Sequence, residues 1–432
     1  MQERADVVVV GGGLAGLGAA AFAARGGAAV TVLERSGQAG GRARTRAQDG
    51  FLFNVGAHAL YRAGHAKTAL DALGVRVEGR IPPARGLALR DGAAYPLPAG
   101  FRTLLGSRLF SLRSKLRVGR LLAGLTSGRL RPPRGASMDE WGRALGLRAD
   151  AAGFLAALAR VTTYTDDPGR LDAAALADQV HLALRAGVLY LDGGWQTIVD
   201  GLAGAAVDAG ARIEAGTRAE AVETEGGRVS GVRTADGRRL PAQAVVLAVP
   251  PAEAARIGGA ASLQRAAAEA VPVRAAALDL GLRRLPRPHT FALGFDRPWY
   301  FSVHSATARL APGGGALVHA LRYLGGAYPT AAEAERDLEE LMDRVQPGWR
   351  EEVQVRRLVP ELLVAHDLPR ADRGGLAGRT PVAVPEVGGL FLAGDWVGSE
   401  GLLADASLAS ARRAAELALA ERRRGQSAGH AA

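Results

Sequence analysis

Gly11-Gly12-Gly13-Leu14-Ala15-Gly16 has the spacing G-x-G-x-x-G, and an acid, Glu34, follows it. Residues of these types at this spacing do one piece of chemistry well, which is to hold a dinucleotide. Gly11 allows a tight turn, Gly13 lets the backbone approach a pyrophosphate, and Gly16 lets a helix pack closely on a strand. Glu34 stands about twenty residues on, where a carboxylate accepts hydrogen bonds from the adenosine ribose hydroxyls. Such a loop needs a strand before it and a helix after it. Val7-Val8-Val9-Val10 is a β-branched run of the kind buried on both faces of a parallel sheet. Small residues from about Leu14 to Arg25 predict a helix whose N-terminus offers unpaired N–H groups and a positive dipole end to phosphate. Gly26-Gly27 ends that helix, and Ala29 to Leu33 is the second strand. The glycine loop alone leaves NAD and FAD both open.

Three further segments carry chemistry. Gly40-Gly41-Arg42-Ala43-Arg44-Thr45 follows closely on Glu34. Far down the chain, Gly389-Leu390-Phe391-Leu392-Ala393-Gly394-Asp395 is a strand that ends on an acid, and Glu400 to Ala406 leads into an alanine-rich helix ending near Arg424. Between them, Arg212 to Val222 and Val229 to Arg233 read as strands around a Glu225-Gly226-Gly227 turn, closed by the buried run Ala244 to Val249 before Pro250-Pro251. Together these segments, roughly half the chain, resemble the FAD-dependent amine oxidase and phytoene desaturase superfamily. The resemblance implies an α/β fold with a Rossmann-like FAD-binding domain of the GR2 type and a discontinuous α+β substrate domain.

It also implies residue roles. Gly41 and Arg42 would meet the cofactor pyrophosphate, with Leu14, Ala15 and Arg35 at the nucleotide end. The backbone near Val222 would touch the adenine. Asp395, after Gly394, would hold the ribityl chain. Gly401, Leu402, Leu403 and Ala406 would start the helix that points at the isoalloxazine, where a positive helix end favours the anionic reduced ring. Phe51 to Tyr61 matches the segment that passes the flavin ring. There Gly56 and Ala57 would allow close approach, and His58 is the acid/base candidate.

The motifs divide the 432 residues into an FAD-binding domain at 1–75, 191–258 and 373–425, a mainly helical insertion at 76–190, a substrate-binding α+β domain at 259–372, and a disordered tail at 426–432. In the second insertion, strand-like runs (Ala275–Leu280, Phe291–Phe295, Ala316–Tyr323) accompany an amphipathic helix, Ala331 to Val345. The first carries a proline-marked, strand-like stretch from Ile81 to Pro98. Tyr61, Trp299-Tyr300 with His304, and Trp396 are candidates to line a substrate pocket. Tyr190 to Trp195 is expected to re-enter the FAD domain.

Composition narrows the function. There is no cysteine, which excludes disulfides, thiolate catalysis and a flavin tethered through sulfur, so the FAD is expected to be non-covalent. Metal-ligand spacing is absent. No second glycine fingerprint sits between a strand and a helix, which points away from a nicotinamide domain and toward oxygen, a quinone or another diffusible electron acceptor. The net charge is +11. Much of it is local, because Asp91 to Asp139 encloses no acid but holds Arg102, Arg108, Arg113, Lys115, Arg117, Arg120, Arg129, Arg131 and Arg134. Leucines interleave with these arginines at helical spacing, so 100–134 is a candidate membrane-surface segment, with an internal helix bearing a solvated arginine face as the alternative. Nucleic acid is not expected, since aromatic interleaving is thin. No apolar run spans a bilayer and nothing directs export, so the expected location is cytoplasmic, peripheral to a membrane if the basic segment binds one.

Amine oxidases of the superfamily commonly carry a late lysine near flavin N5, whereas the only lysines here are Lys67 and Lys115. The expectation is therefore a desaturase or dehydrogenase of a lipophilic, isoprenoid- or carotenoid-like substrate, acting by hydride transfer to flavin N5. A flavin amine oxidase, a protoporphyrinogen-type oxidase and a non-catalytic prenyl- or lipid-binding protein of the same fold are the alternatives.

Overall fold

A computed structural model of the chain describes residues 5–326 and 328–430. Five strands form a parallel sheet in the order Arg212–Ala215, Val30–Glu34, Ala5–Val10, Arg239–Leu247 and Leu390–Leu392. Its central strands are valine runs buried on both faces, as expected for a sheet covered by helices on each side. An antiparallel pair, Ala219–Glu225 and Arg228–Thr234, joins the N-terminal half of Arg239–Leu247.

The helix Leu14–Arg25 is nearly all alanine, glycine and leucine, and its small side chains let three elements crowd together. The C-terminal helix Leu403–His430 and the helix Gln196–Asp208 both pack on it. Ala431 and Ala432 of the expected tail lie outside the described residues.

A second sheet has the order Val353–Ala365, Val273–Leu282, Ala316–Leu324, Trp299–Val303, Phe291–Gly294, Leu87–Arg90 and Ala93–Pro96. The last two strands come from the first insertion and the other five from the second. Residues 76–190 and 259–372 thus share one sheet. One face is covered by the amphipathic helix Ala331–Val345, which a Thr330/Glu333 capping box starts and which buries Leu338, Leu341, Met342 and Val345 against Leu278, Leu280, Phe301 and Val318. The other face meets the insertion's helices and the segment after Phe51–Asn54.

The helix Leu112–Ser127 shows how the basic stretch is arranged. Val118, Leu121 and Leu125 are buried in the core shared with the second sheet, while Leu112 and Leu116 are 76% and 62% exposed. Phe101 and Leu105, on the short helix before it, are exposed as well. No helix among the described residues is long and apolar enough to cross a membrane.

Leu341 is fully buried between that amphipathic helix and the second sheet, remote from the glycine loop. Leu341→Ala is expected to lower stability by about 2–5 kcal/mol in a urea titration. Cofactor affinity should be unchanged in the folded fraction.

Candidate functional site

The glycine loop is built as the spacing demands, and its glycines do different things. Gly11 has φ +107°, and a Cβ there would lie 2.4 Å from the Ala248 carbonyl oxygen. A Cβ on Gly16 would lie 1.8 Å from the Gly11 oxygen, so this glycine is what allows helix and strand to approach. Gly13 is the opposite case. A Cβ there would meet nothing within 4 Å, so the space over the helix N-terminus is open. That is the cradle a pyrophosphate requires. Leu14 and Ala15 open the helix beside it.

Glu34, 8% exposed at the end of its strand, accepts from the Gly12 N–H through Oε2 and from the Ser36 N–H through Oε1, both at 2.7 Å. Its carboxylate is held at the mouth of the loop. Arg35 next to it is exposed. Val222 pairs with Val232 and is half-buried against the core that holds Val10, Leu33 and Val249, on the same side of the sheet.

Gly40 and Gly41 both take left-handed backbone, φ +119° and +54°, and Gly40 donates to the Gly12 carbonyl at 2.7 Å. This folds the second glycine pair over the first and aims Arg42 across the site. Arg42 pairs with Asp395 at 2.9 Å and donates to the Val364 carbonyl at 2.5 Å. Asp395 is 2% exposed. Its Oδ1 accepts from His366 Nδ1 at 2.8 Å and its Oδ2 from the His366 backbone N–H at 3.2 Å. Burial alone would raise the Asp395 carboxyl, but Arg42 and His366 outweigh it and hold the group well below the usual carboxylate range.

Gly394 is tied to the C-terminal helix by its N–H donating to Ser410 Oγ at 2.9 Å. Gly401 (φ +65°) precedes Leu402, and Leu403 is a rare leucine in left-handed backbone, φ +56°, at the helix start. Such strain persists where the surroundings over-determine it, commonly at binding sites. Ala406 is fully buried. Asp405, also buried, accepts from the Ala66 N–H at 2.7 Å and so caps the neighbouring helix His65–Ala72.

On the other side of the site, Gly56 has φ +81°, and a Cβ there would lie 2.5 Å from Leu362 on the second sheet. The Ala57 carbonyl accepts from Tyr164 Oη at 2.8 Å. His58 Nδ1 donates to the Gly56 carbonyl at 3.0 Å, its ring sits 4.8 Å from Trp195, and burial pushes its pKa down to about 4. Asn54 Oδ1 accepts from Trp195 N–H at 3.0 Å, which docks the Tyr190–Trp195 segment onto the FAD-side elements.

The pocket candidates divide. Tyr300 and His304 meet Tyr190, whose ring stacks on His304 at 3.9 Å, and Tyr61 is buried in the same region. Trp299 does not join them. It is one residue out of phase with Tyr300 on a strand and faces the opposite side, where its Nε1–H donates to Asp337 and Arg297 stacks on its ring. Trp396 also turns away, into the core under the parallel sheet, and donates to the Val249 carbonyl.

Four residues not picked out in the sequence belong to the site. His366 and Arg379 flank Asp395. Arg379 is 7% exposed, donates to the Gly401 carbonyl at 2.9 Å, and is lowered by burial to about 10. Asp279 and His319 form a buried pair on the second sheet at 2.6 Å. No spacing signal marks any of them; long-range strand register and loop packing bring them in.

Comparison with known proteins follows this geometry. The family model for flavin containing amine oxidoreductases matches residues 14–300. The mitochondrial protoporphyrinogen oxidase of Nicotiana tabacum is 34% identical over 115 residues, 26% of this chain and 23% of that protein. The phytoene dehydrogenase of Streptomyces griseus is 29% identical over 331 residues, 69% of this chain and 62% of that one. The matches thus span from about a quarter to under two thirds of these relatives. Among solved structures, an oxidoreductase from Methanosarcina mazei superposes with a TM-score of 0.76 at 20% identity, over 95% of this chain and 99% of that one. Putrescine oxidase bound to putrescine gives 0.75 at 17%, over 97% and 99%. Likeness at these identities establishes a shared fold.

Asp405 yields a pH test. Burial raises its pKa to about 6, against an ordinary value of 3.8, with the Ala66 N–H and His65 pulling the other way. The folded state therefore binds the proton more tightly than the unfolded one. The penalty is complete above about pH 6, shrinks as pH falls, and vanishes below about pH 4. Wild type should gain about 3 kcal/mol from this group over that window, and Asp405→Asn should lack the gain. Parallel denaturant titrations at each pH measure the difference.

Proposed function

The chain belongs to the flavin-containing amine oxidoreductase family, and from that premise we propose that it is an FAD-dependent oxidoreductase that dehydrogenates a lipophilic, isoprenoid- or carotenoid-like substrate. The observation that carries the substrate class is the chemistry of the second sheet's inner face. Where that face meets Gly56 and Ala57 it is built from Leu293, Tyr300, Leu321, Tyr323, Val359 and Leu362. The carboxylate described on it, Asp279, is already bonded to His319. A cationic amine would find no free counter-charge there, whereas a hydrocarbon with few polar groups would lose little on entry.

FAD, held without a covalent bond, supplies a two-electron acceptor at N5. The chain's own residues do the rest. Gly13 and the following helix N-terminus receive the pyrophosphate, Glu34 the adenosine ribose, and Arg42 adds positive charge. Asp395 is kept ionised by Arg42 and His366, so it accepts hydrogen bonds from ribityl hydroxyls at any physiological pH. Gly56 and Ala57 let backbone approach the ring, and the phenols and leucines opposite exclude water while the substrate is oriented. Oxygen or a quinone is the proposed electron acceptor.

We further propose that the outer surface of 100–134 rests on an anionic membrane. Phe101, Leu105, Leu112 and Leu116 project beside Arg102, Arg108, Arg113 and Arg120, an apolar and cationic surface that matches headgroups over acyl chains. A lipophilic substrate would be drawn from such a surface.

Three measurements test this. Purified protein should be yellow and should reduce its flavin anaerobically with phytoene in detergent, but not with putrescine; reduction by protoporphyrinogen instead would move the substrate class, and colourless protein that cannot take up FAD would sink the oxidoreductase reading. Arg42→Met should weaken FAD binding at least about tenfold. For the surface, Leu112→Ser with Leu116→Ser should cut sedimentation with phosphatidylserine vesicles by about tenfold or more. Wild type that fails to bind such vesicles at low salt would refute the membrane proposal.

A further inference from the structure

Three histidines converge where the second sheet meets the Gly56–Tyr61 segment. His304 and His319 have ring centres 4.6 Å apart, and His58 lies close enough for its charge to be felt by both. Their partners differ in kind. His58 uses Nδ1 on the Gly56 carbonyl. His304 lies under the Tyr190 ring with Tyr300 Oη 3.4 Å from its Nε2. His319 alone of the three has a carboxylate, with Nδ1 at 2.6 Å from Asp279 Oδ1.

Both members of that pair are buried, His319 completely, and His319 Nε2 has no hydrogen-bond partner. A carboxylate on Nδ1–H selects one tautomer, fixes the ring, and leaves the lone pair on Nε2. Burying that lone pair without a donor is a cost that a purely structural residue would shed. Ser302 and Tyr300, on the neighbouring strand, share the face with His319.

We propose that His319 Nε2 is the group that takes up the substrate proton during dehydrogenation, with Asp279 as its positioning residue. The inference rests on the hydride-transfer reading above. The step balances as a two-electron oxidation. One substrate carbon loses hydrogen with its electron pair to the bound flavin, which is the oxidant. The neighbouring carbon loses a proton to His319 Nε2, and the electron pair left behind becomes the new C=C bond. Asp279 then faces an imidazolium and stabilises it. The other two rings suit the role less, since burial lowers His58 to about 4 and holds His304 well below the ordinary histidine range.

The groups facing His319 are Asp279 from one adjacent strand, Ser302 and Tyr300 from the other, Arg357 two strands away, Tyr190 and His304 from above, and His58 from the flavin side. The neutral phenols and histidines leave Asp279 as the charge in contact with it.

The test uses the FAD-loaded full chain with isotope-labelled histidine. Nitrogen-correlated NMR should show His319 as the single Nδ1–H tautomer, with Nε2 bare. Asp279→Asn should release that preference, so that both tautomers are seen. A His319 that carries its proton on Nε2, or whose tautomer is unmoved by Asp279→Asn, overturns the proposal whatever the substrate. With phytoene under anaerobic conditions, His319→Gln should slow flavin reduction roughly a hundredfold and flatten its pH profile. Retained flavin content and an unchanged urea midpoint would establish that this variant folds. Rates within about threefold of wild type also overturn the proposal. Should phytoene leave wild-type flavin oxidised, the hydride-transfer reading has failed for this substrate, and the tautomer measurement alone decides the His319–Asp279 assignment.

Discussion

A carboxylate taken out of water is tolerable only when a cation and hydrogen-bond donors reach it. Asp395 is such a group, and the surrounding structure is arranged to satisfy it. Arg42 arrives from the N-terminal end of the chain on a backbone that only two successive left-handed glycines allow. His366 arrives from the end of the second sheet's edge strand and donates from both ring and backbone. Three distant stretches are thereby pinned at one point, which ties the loop after Leu390–Leu392 of the parallel sheet to the edge of the second sheet. The same pairing has a pH signature. Because the carboxyl is depressed in the folded state, its contribution is present above the ordinary carboxylate range and is lost only as acid protonates it.

Much of the cofactor half could be read before any coordinates, because its signals are local. Gly11, Gly16 and Gly40 are required by backbone geometry within a few residues of themselves, and the strands and helices that flank them show their periodicity directly. Arg42 and Asp395 were legible as motif members, although nothing local to either says that they touch. The substrate half was harder for a physical reason. Trp299, Tyr300 and Phe301 look like a cluster in one dimension, yet a strand turns alternate residues to opposite faces, so Tyr300 meets Tyr190 and His304 while Trp299 braces the helix behind it. Trp396 follows Asp395 directly, yet it lies in the turn after Leu390–Leu392, and that turn sends it into the core. Asp279, His319, His366 and Arg379 carry no motif at all. Asp279 and His319 meet through register between strands far apart in sequence, and His366 and Arg379 reach Asp395 through loop packing, both of them tertiary outcomes.

The division of labour between the two sheets follows from their burial. The parallel sheet is sealed on both faces by small-residue helices, which suits a rigid platform whose ligand sits on loop ends. The second sheet is sealed on one face by an amphipathic helix, and on the other it sets one buried ionisable pair, Asp279 with His319, among leucines and phenols.

That sheet is assembled from two separate stretches of chain. Leu87–Arg90 and Ala93–Pro96 come from the first insertion, and the basic helix Leu112–Ser127 shares a continuous core with Leu293, Tyr300 and Leu321. The inner face of the second sheet and the cationic outer surface are therefore one packed unit encoded in two pieces. Exchanging one piece for a relative's would break a shared sheet and an interdigitated core, so a chimera that alters substrate range must carry both pieces together, and natural divergence in one must be matched by compensating change in the other.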